Sequence, residues 1–161
     1  MKACDNMSNA EEIVIYSPMD GDVAELSTCP DQVFASGMLG KGVVIMPAKG
    51  EVAAPCDGVI ESIFDTKHAI GMVGANEAEI LIHVGLDTVN LNGEGFTVET
   101  KDGAAVHKGD KLLTADLGII KEKATSACTL VLVTNLAEGQ DIKMLKHGPV
   151  KAGEAIFAIC K

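Results

Sequence analysis

Apolar positions in this chain come in short runs rich in Val and Ile, and Gly, Pro, Asp and Asn interrupt them at close intervals. Val and Ile suit a pleated, half-buried surface, and the interrupting residues form turns. The pattern therefore predicts an all-β, antiparallel domain with many hairpins. Long helical periodicity is absent, and two short helical pieces are expected, around 31–35 and around 117–123. The most informative alternation is Glu79-Ile80-Leu81-Ile82-His83-Val84. Successive strand side chains point to opposite faces, so Ile80, Ile82 and Val84 share the core face, while Leu81 and His83 share the other. A histidine is thus displayed beside a bare leucine, above a rigid apolar row.

Two pairs of segments repeat. Ser17-Pro18-Met19-Asp20-Gly21-Asp22-Val23 resembles Ala54-Pro55-Cys56-Asp57-Gly58-Val59-Ile60, each a small residue, Pro, any residue, Asp-Gly and a strand. Asp-Gly favours a tight turn with positive φ. Further on, Val106-His107-Lys108-Gly109-Asp110-Lys111-Leu112-Leu113 resembles Val150-Lys151-Ala152-Gly153-Glu154-Ala155-Ile156-Phe157. The repeats predict an antiparallel β-sandwich or barrel with internal duplication and few short helices. No composition break divides the chain, so residues 1–12 read as a flexible polar tail and 13–161 as one domain.

A strand over 69–73, a turn over 74–77 and a return strand over 78–84 would bring His68 beside His83. Thr66 lies two residues before His68 and faces the same side of an extended chain, so its hydroxyl can bond one ring nitrogen. Two imidazoles at one exposed spot fit covalent group transfer, a metal site, or two unrelated histidines. A metal site needs further ligands, and no HExxH or CxxC occurs to supply them. His107 and His147 read as solvated loop histidines.

Bulk properties narrow the function. With 161 residues and 47% hydrophobic positions, the chain can bury a core without disulfide or metal staples. Mean hydropathy is +0.24, but no apolar run reaches the roughly 18 residues of a membrane span. The start, MKACDNMSNAEE, lacks the apolar run of a signal peptide. Five scattered cysteines without a CxxC pair fit isolated thiols in a reducing cytoplasm. The net charge of −10 disfavours nucleic acid and suits a partner with a basic contact surface.

The runs PDQVF, TKHAIG and EILIHVGLDTVNLNGEGF resemble the glucose-type enzyme IIA family of the bacterial sugar phosphotransferase system, in one order from Ile15 to Ile159. The resemblance implies the duplicated hybrid motif fold and a cytoplasmic phosphotransferase component. It implies that His83, in the HxGxDT motif, accepts a phosphoryl group from the carrier HPr and passes it to a cysteine of a permease IIB domain. His68, in the TxHA motif, would stabilise charge, and Thr66 would orient His68. Phe34, Met38, Leu39, Phe64, Leu81 and Val89 match the family's apolar docking ring, and Asp31 and Asp87 match its acids. No cofactor is required, although zinc held by His68, His83 and a partner carboxylate would fit a regulatory binding protein that contacts other enzymes or permeases. A β-sandwich zinc peptidase is a third reading, lacking its third ligand. One departure stands out: Gly40-Lys41-Gly42 has Lys41 where the family has an acid, which places a positive charge near the docking face.

Overall fold

The computed structural model describes residues 13–160; the expected tail at 1–12 lies outside them. The strands are β1 (Ile13–Tyr16), β2 (Gly21–Glu25), β3 (Lys41–Pro47), β4 (Glu51–Ala53), β5 (Gly58–Ile63), β6 (Ala69–Val73) and β7 (Glu79–His83). They continue with β8 (Phe96–Val98), β9 (Ala105–Val106), β10 (Lys111–Ala115), β11 (Thr129–Val133), β12 (Asp141–Met144), β13 (Gly148–Val150) and β14 (Ala155–Cys160). The two short helices fall where the sequence places them: α1 (Gln32–Ala35) and α2 (Leu117–Lys123). Each begins at an aspartate whose carboxylate accepts first-turn amides. Asp31 takes Val33 at 2.9 Å, and Asp116 takes Ile119 at 3.2 Å.

Three antiparallel sheets result. The largest has the order β13-β2-β3-β11-β7-β6-β5-β9, and the two smaller ones are β1-β14-β12 and β4-β10-β8. Read from either end, the large sheet is the same series of roles: a short edge strand, the strand after an Asp-Gly turn, its partner, and a central strand. One core cluster joins all three sheets, with Ile45, Ile60, Ile70, Ile82 and Val131 from the large one, Phe157 and Ile159 from one small sheet, and Leu112 and Leu113 from the other. This is the expected duplicated β-sandwich.

The hydrogen bonds carry the duplication residue by residue. The Asp20 carboxylate accepts the Ala152 amide at 2.8 Å, and the Asp57 carboxylate accepts that of Lys108 at 2.7 Å. Gly153 donates to the Ser17 carbonyl at 2.9 Å, and Gly109 to that of Ala54 at 3.0 Å. The repeats are nested. Residues 51–115 form one without interruption, while the other is assembled from 13–47 and 129–160 around it.

One turn expectation is corrected. Neither Gly21 nor Gly58 has positive φ. Both are glycine because of close approach: a Cβ would lie 2.4 Å from the Met46 carbonyl oxygen at Gly21 and 2.2 Å from that of Val73 at Gly58. The isolated-thiol expectation holds for Cys56, which is free and buried; Cys29 and Cys128 are also free and buried but lie against each other, and Cys160 is disulfide-bonded.

Candidate functional site

β6 and β7 form the expected hairpin, closed by a turn at Ala75–Glu77 in which Asn76 and Glu77 are left-handed. Ile80, Ile82 and Val84 are buried in the core, and Leu81 and His83 lie on the outer face. His83 is register partner to Ala69. His68, one residue before β6, therefore stands beside it, and its carbonyl accepts the Val84 amide at 2.8 Å. The two imidazole centroids are 4.8 Å apart, edge to face.

Both Nδ1 atoms are engaged. His83 Nδ1 lies 2.9 Å from the Gly85 carbonyl oxygen. A carbonyl has no proton to give, so Nδ1 carries the hydrogen and Nε2 keeps its lone pair. His68 Nδ1 lies 2.7 Å from the Thr66 hydroxyl. In each ring, Nε2 is the nitrogen left for outside chemistry. His68 is 2% exposed; burial, then the neighbouring His83, pushes its pKa down to about 4. Burial also lowers that of His83, while the Gly85 bond and Asp31 pull the other way. Both rings are thus neutral near pH 7.

Aromatic side chains close in from two sides. Phe34 lies 5.0 Å from the His83 ring, and Phe64 meets His68 edge-on at 5.5 Å. Leu81 is half-buried rather than bare, because it packs against a second apolar cluster beneath α1. Met38, Leu39, Phe64 and Val89 are exposed. Val33 is also exposed, on α1 beside Phe34, and extends the apolar set expected from the sequence. Its signal was available: α1 is one turn long and cannot bury all of Val33, Phe34 and Ala35. Asp31 acts on His83 electrostatically while capping α1. Asp87 is exposed and adopts left-handed φ 62°, and its carboxylate accepts the Thr125 hydroxyl.

Lys41 stays close to the docking ring along the chain, two residues after exposed Leu39, but its register sets it in the row of core-facing Ile80 rather than that of Leu81. It starts β3 opposite Val133, and Val133 pairs in turn with Ile80. That is three residues along β7 from His83, about 10 Å at strand spacing. Its Nζ is paired with Asp141 at 3.2 Å, so the charge is partly cancelled. His107 and His147 have side-chain exposures of 86% and 61%, consistent with loop positions.

The surroundings suit a protein partner better than a small molecule. A groove on the same hairpin, lined by Phe64, Gly71, Leu81 and Thr134 among others, has about 150 Å³, against the ~300–1,000 Å³ of ordinary ligand pockets. Among the described residues, no group of three His, Cys, Asp or Glu side chains is placed to hold a metal ion. A metal at the histidine pair would need ligands from another protein.

A neutral imidazole pair, open on one side amid exposed apolar side chains, on a duplicated β-sandwich, defines a carrier that exchanges a small group with other proteins. Comparison with known proteins makes that class specific. Residues 13–139 match the family described as phosphoenolpyruvate-dependent sugar phosphotransferase system, EIIA 1. The chain is 49% identical over 144 residues to a PTS system glucose-specific EIIA component of Oceanobacillus iheyensis, covering 89% of this chain and 87% of that one. It is 44% identical over 146 residues to a glucose-specific EIICBA component of Staphylococcus carnosus, covering 91% of this chain but 22% of that longer protein. The solved glucose permease IIA from Mycoplasma capricolum superposes with a TM-score of 0.88 at 36% identity, covering 97% of this chain and 100% of that one. The chain belongs to the EIIA 1 family and is a phosphocarrier component of the sugar phosphotransferase system. None of its described helices is long and apolar enough to cross a membrane.

Proposed function

We propose that His83 Nε2 is the phosphoryl acceptor, that the donor is a phosphohistidine of HPr, and that the onward acceptor is a cysteine of a sugar permease IIB domain, all in the cytoplasm. The observation that carries this is the His83 Nδ1 bond to the Gly85 carbonyl, which leaves Nε2 unprotonated and outward. As the Nε2–P bond forms, the N–P bond of the donor breaks, and its electron pair returns to the donor ring. No proton leaves His83. Its ring becomes positive, and the Gly85 carbonyl stabilises that charge.

His68 supports the step as a neutral donor. When the Thr66 hydroxyl donates to His68 Nδ1, the proton of that ring sits on Nε2, next to the incoming phosphoryl oxygens. Phe34, Phe64, Leu81 and the exposed apolar residues seal the interface, and water is kept from the labile N–P bond. Asp31 and Asp87 give the rim a negative charge for a basic donor protein. Two named relatives are glucose-specific, and glucose is the sugar we assign. The test is phosphorylation from labelled phosphoenolpyruvate through HPr and its kinase. Wild type takes up one acid-labile phosphate; His83→Gln takes up none. His68→Gln accepts phosphate but passes it slowly to a glucose IIB domain. Label on His83→Gln would sink the assignment, and transfer to other IIB domains but not the glucose one would remove the sugar.

A further inference from the structure

Asp87 has a second role that docking does not explain. An aspartate starting a helical turn usually accepts that turn's own amides, yet Asp87 makes no such cap on the 3-10 turn Thr88–Leu91. Its carboxylate turns to the Thr125 hydroxyl, across the fold in the segment after α2. The same segment grips the residue before Asp87 by two backbone bonds: Leu86 donates to Ser126 at 2.9 Å, and Thr125 donates to Leu86 at 3.2 Å. Leu86 immediately follows Gly85, whose carbonyl receives His83 Nδ1. Gly85 is itself boxed in: a Cβ there would lie 2.4 Å from Thr88 and 2.9 Å from the Ser126 carbonyl oxygen. Thr88, fully buried, donates to the Val84 carbonyl at 2.6 Å and closes the turn from inside.

We propose that Thr125 and Asp87 are a positioning pair, in which the hydroxyl–carboxylate bond holds the 84–88 turn so that the Gly85 carbonyl keeps the His83 proton on Nδ1. Neither residue touches the reacting atoms. Asp87 then has two separable tasks: one carboxylate oxygen holds Thr125, and the charge of this exposed side chain attracts a basic partner. The inference rests on His83 Nε2 being the reactive atom. Its main readout is nevertheless the His83 tautomer in the unphosphorylated protein, which stands whether or not the transfer reading does.

The test combines long-range proton–nitrogen NMR of the His83 ring with the rate of phosphoryl uptake from phospho-HPr. Thr125→Val, at an exposed position, should fold normally, raise the share of the Nε2–H tautomer and slow uptake about three- to tenfold. Thr125→Ser, which keeps the hydroxyl, should restore both. Asp87→Asn keeps an acceptor oxygen and loses the charge. It should leave the tautomer unchanged while flattening the salt dependence of association with HPr. A wild-type tautomer in Thr125→Val, even with reduced stability, would overturn the proposal, as would failure of Thr125→Ser to rescue. Wild-type protein that took no phosphate, while the tautomer still shifted in Thr125→Val, would instead overturn the transfer reading alone.

Discussion

Over β11 the outer face of the central sheet is sealed, and over β7 it is open, although the two strands are counterparts in the duplication. The registers give the equivalence. Gly21 and Gly58 open matching strands; two residues on, Val23 pairs with Ile45 and Ile60 pairs with Met72. Two residues back along the partner strands are Val43 and Ile70, which pair with Val131 and Ile82. His83 therefore corresponds to Leu132, and His68 to Lys41. Leu132 is fully buried with Leu26, Cys29, Val44 and Leu130. The difference lies in one connection. Between β2 and β3 the chain spends residues 26–40, which carry Leu26, Cys29 and α1 over β11. Between β5 and β6 it spends only 64–68, enough for Phe64, Thr66 and His68 but too short to cover β7. The site is the half of a duplicated sheet that was left without a lid.

The strongest way to break this comparison is to exchange the counterparts. Leu132→His puts an imidazole into the sealed, apolar face. It should cost about 3–5 kcal/mol, from lost packing and an unpaired polar group. His83→Leu removes all phosphate uptake yet should cost only about 1 kcal/mol, the worth of the bond to Gly85. Urea denaturation of both variants measures this. Equal losses would mean that the two faces are not differently covered.

A somewhat smaller effect should appear with acid. His68 is buried neutral, with a pKa pushed down to about 4 by burial and by His83. The unfolded chain binds a proton on this residue near its ordinary pKa of ~6.5, and the folded chain does not. Its contribution is therefore present in full above about pH 6.5, falls as pH drops from there to about 4, and is flat below, a loss of about 3 kcal/mol. Carboxylates titrate in the same range, so the quantity to measure is wild type minus His68→Asn, by denaturation at steps from pH 7 to pH 4. A flat difference for His68→Asn would mean that the ring is solvated.

Much of this was legible in the chain. Alternation along β7 gave its two faces, and the repeated Asp-Gly and Gly-acid turns gave the duplication, because both are local signals of one residue in two or of turn chemistry. The nesting of the repeats was not, since β3 and β11 become neighbours only through long-range pairing across the whole inserted repeat. Nor was the reason for Gly21 and Gly58. Sequence predicts a positive-φ turn, and only the neighbouring carbonyls reveal close approach instead. The Thr125–Asp87 contact was hidden for the same reason: it joins two loops with no shared pattern. The facing of Lys41 was hidden too: it follows exposed Leu39 by two residues, and only the pairing with Val133 shows which side of the sheet it takes.

The smallest effect concerns the turn that only the open half has. β6 passes directly into β7, whereas β3 and β11 are separated by the inserted repeat. That turn places Asn76 at φ 55° and Glu77 at φ 60°. Two left-handed residues in succession are the requirement of a tight hairpin turn whose preferred sequence is Asn-Gly, so Glu77 stands where glycine is favoured. The turn is held from outside: Asn135 donates to the Glu77 carbonyl at 2.9 Å and accepts the Glu79 amide at 2.8 Å. These bonds use backbone atoms, so Glu77→Gly preserves them. Relief of the left-handed strain outweighs the extra freedom glycine has when unfolded, and the variant should gain about 0.5 kcal/mol. Uptake of phosphate should stay within about twofold of wild type, since the turn lies at the far end of the hairpin from His83. A loss of stability would show that the Glu77 side chain supports the turn. A change in uptake would show that the hairpin transmits its turn geometry to the histidine pair, which the rigid pairing of β7 with β11 argues against.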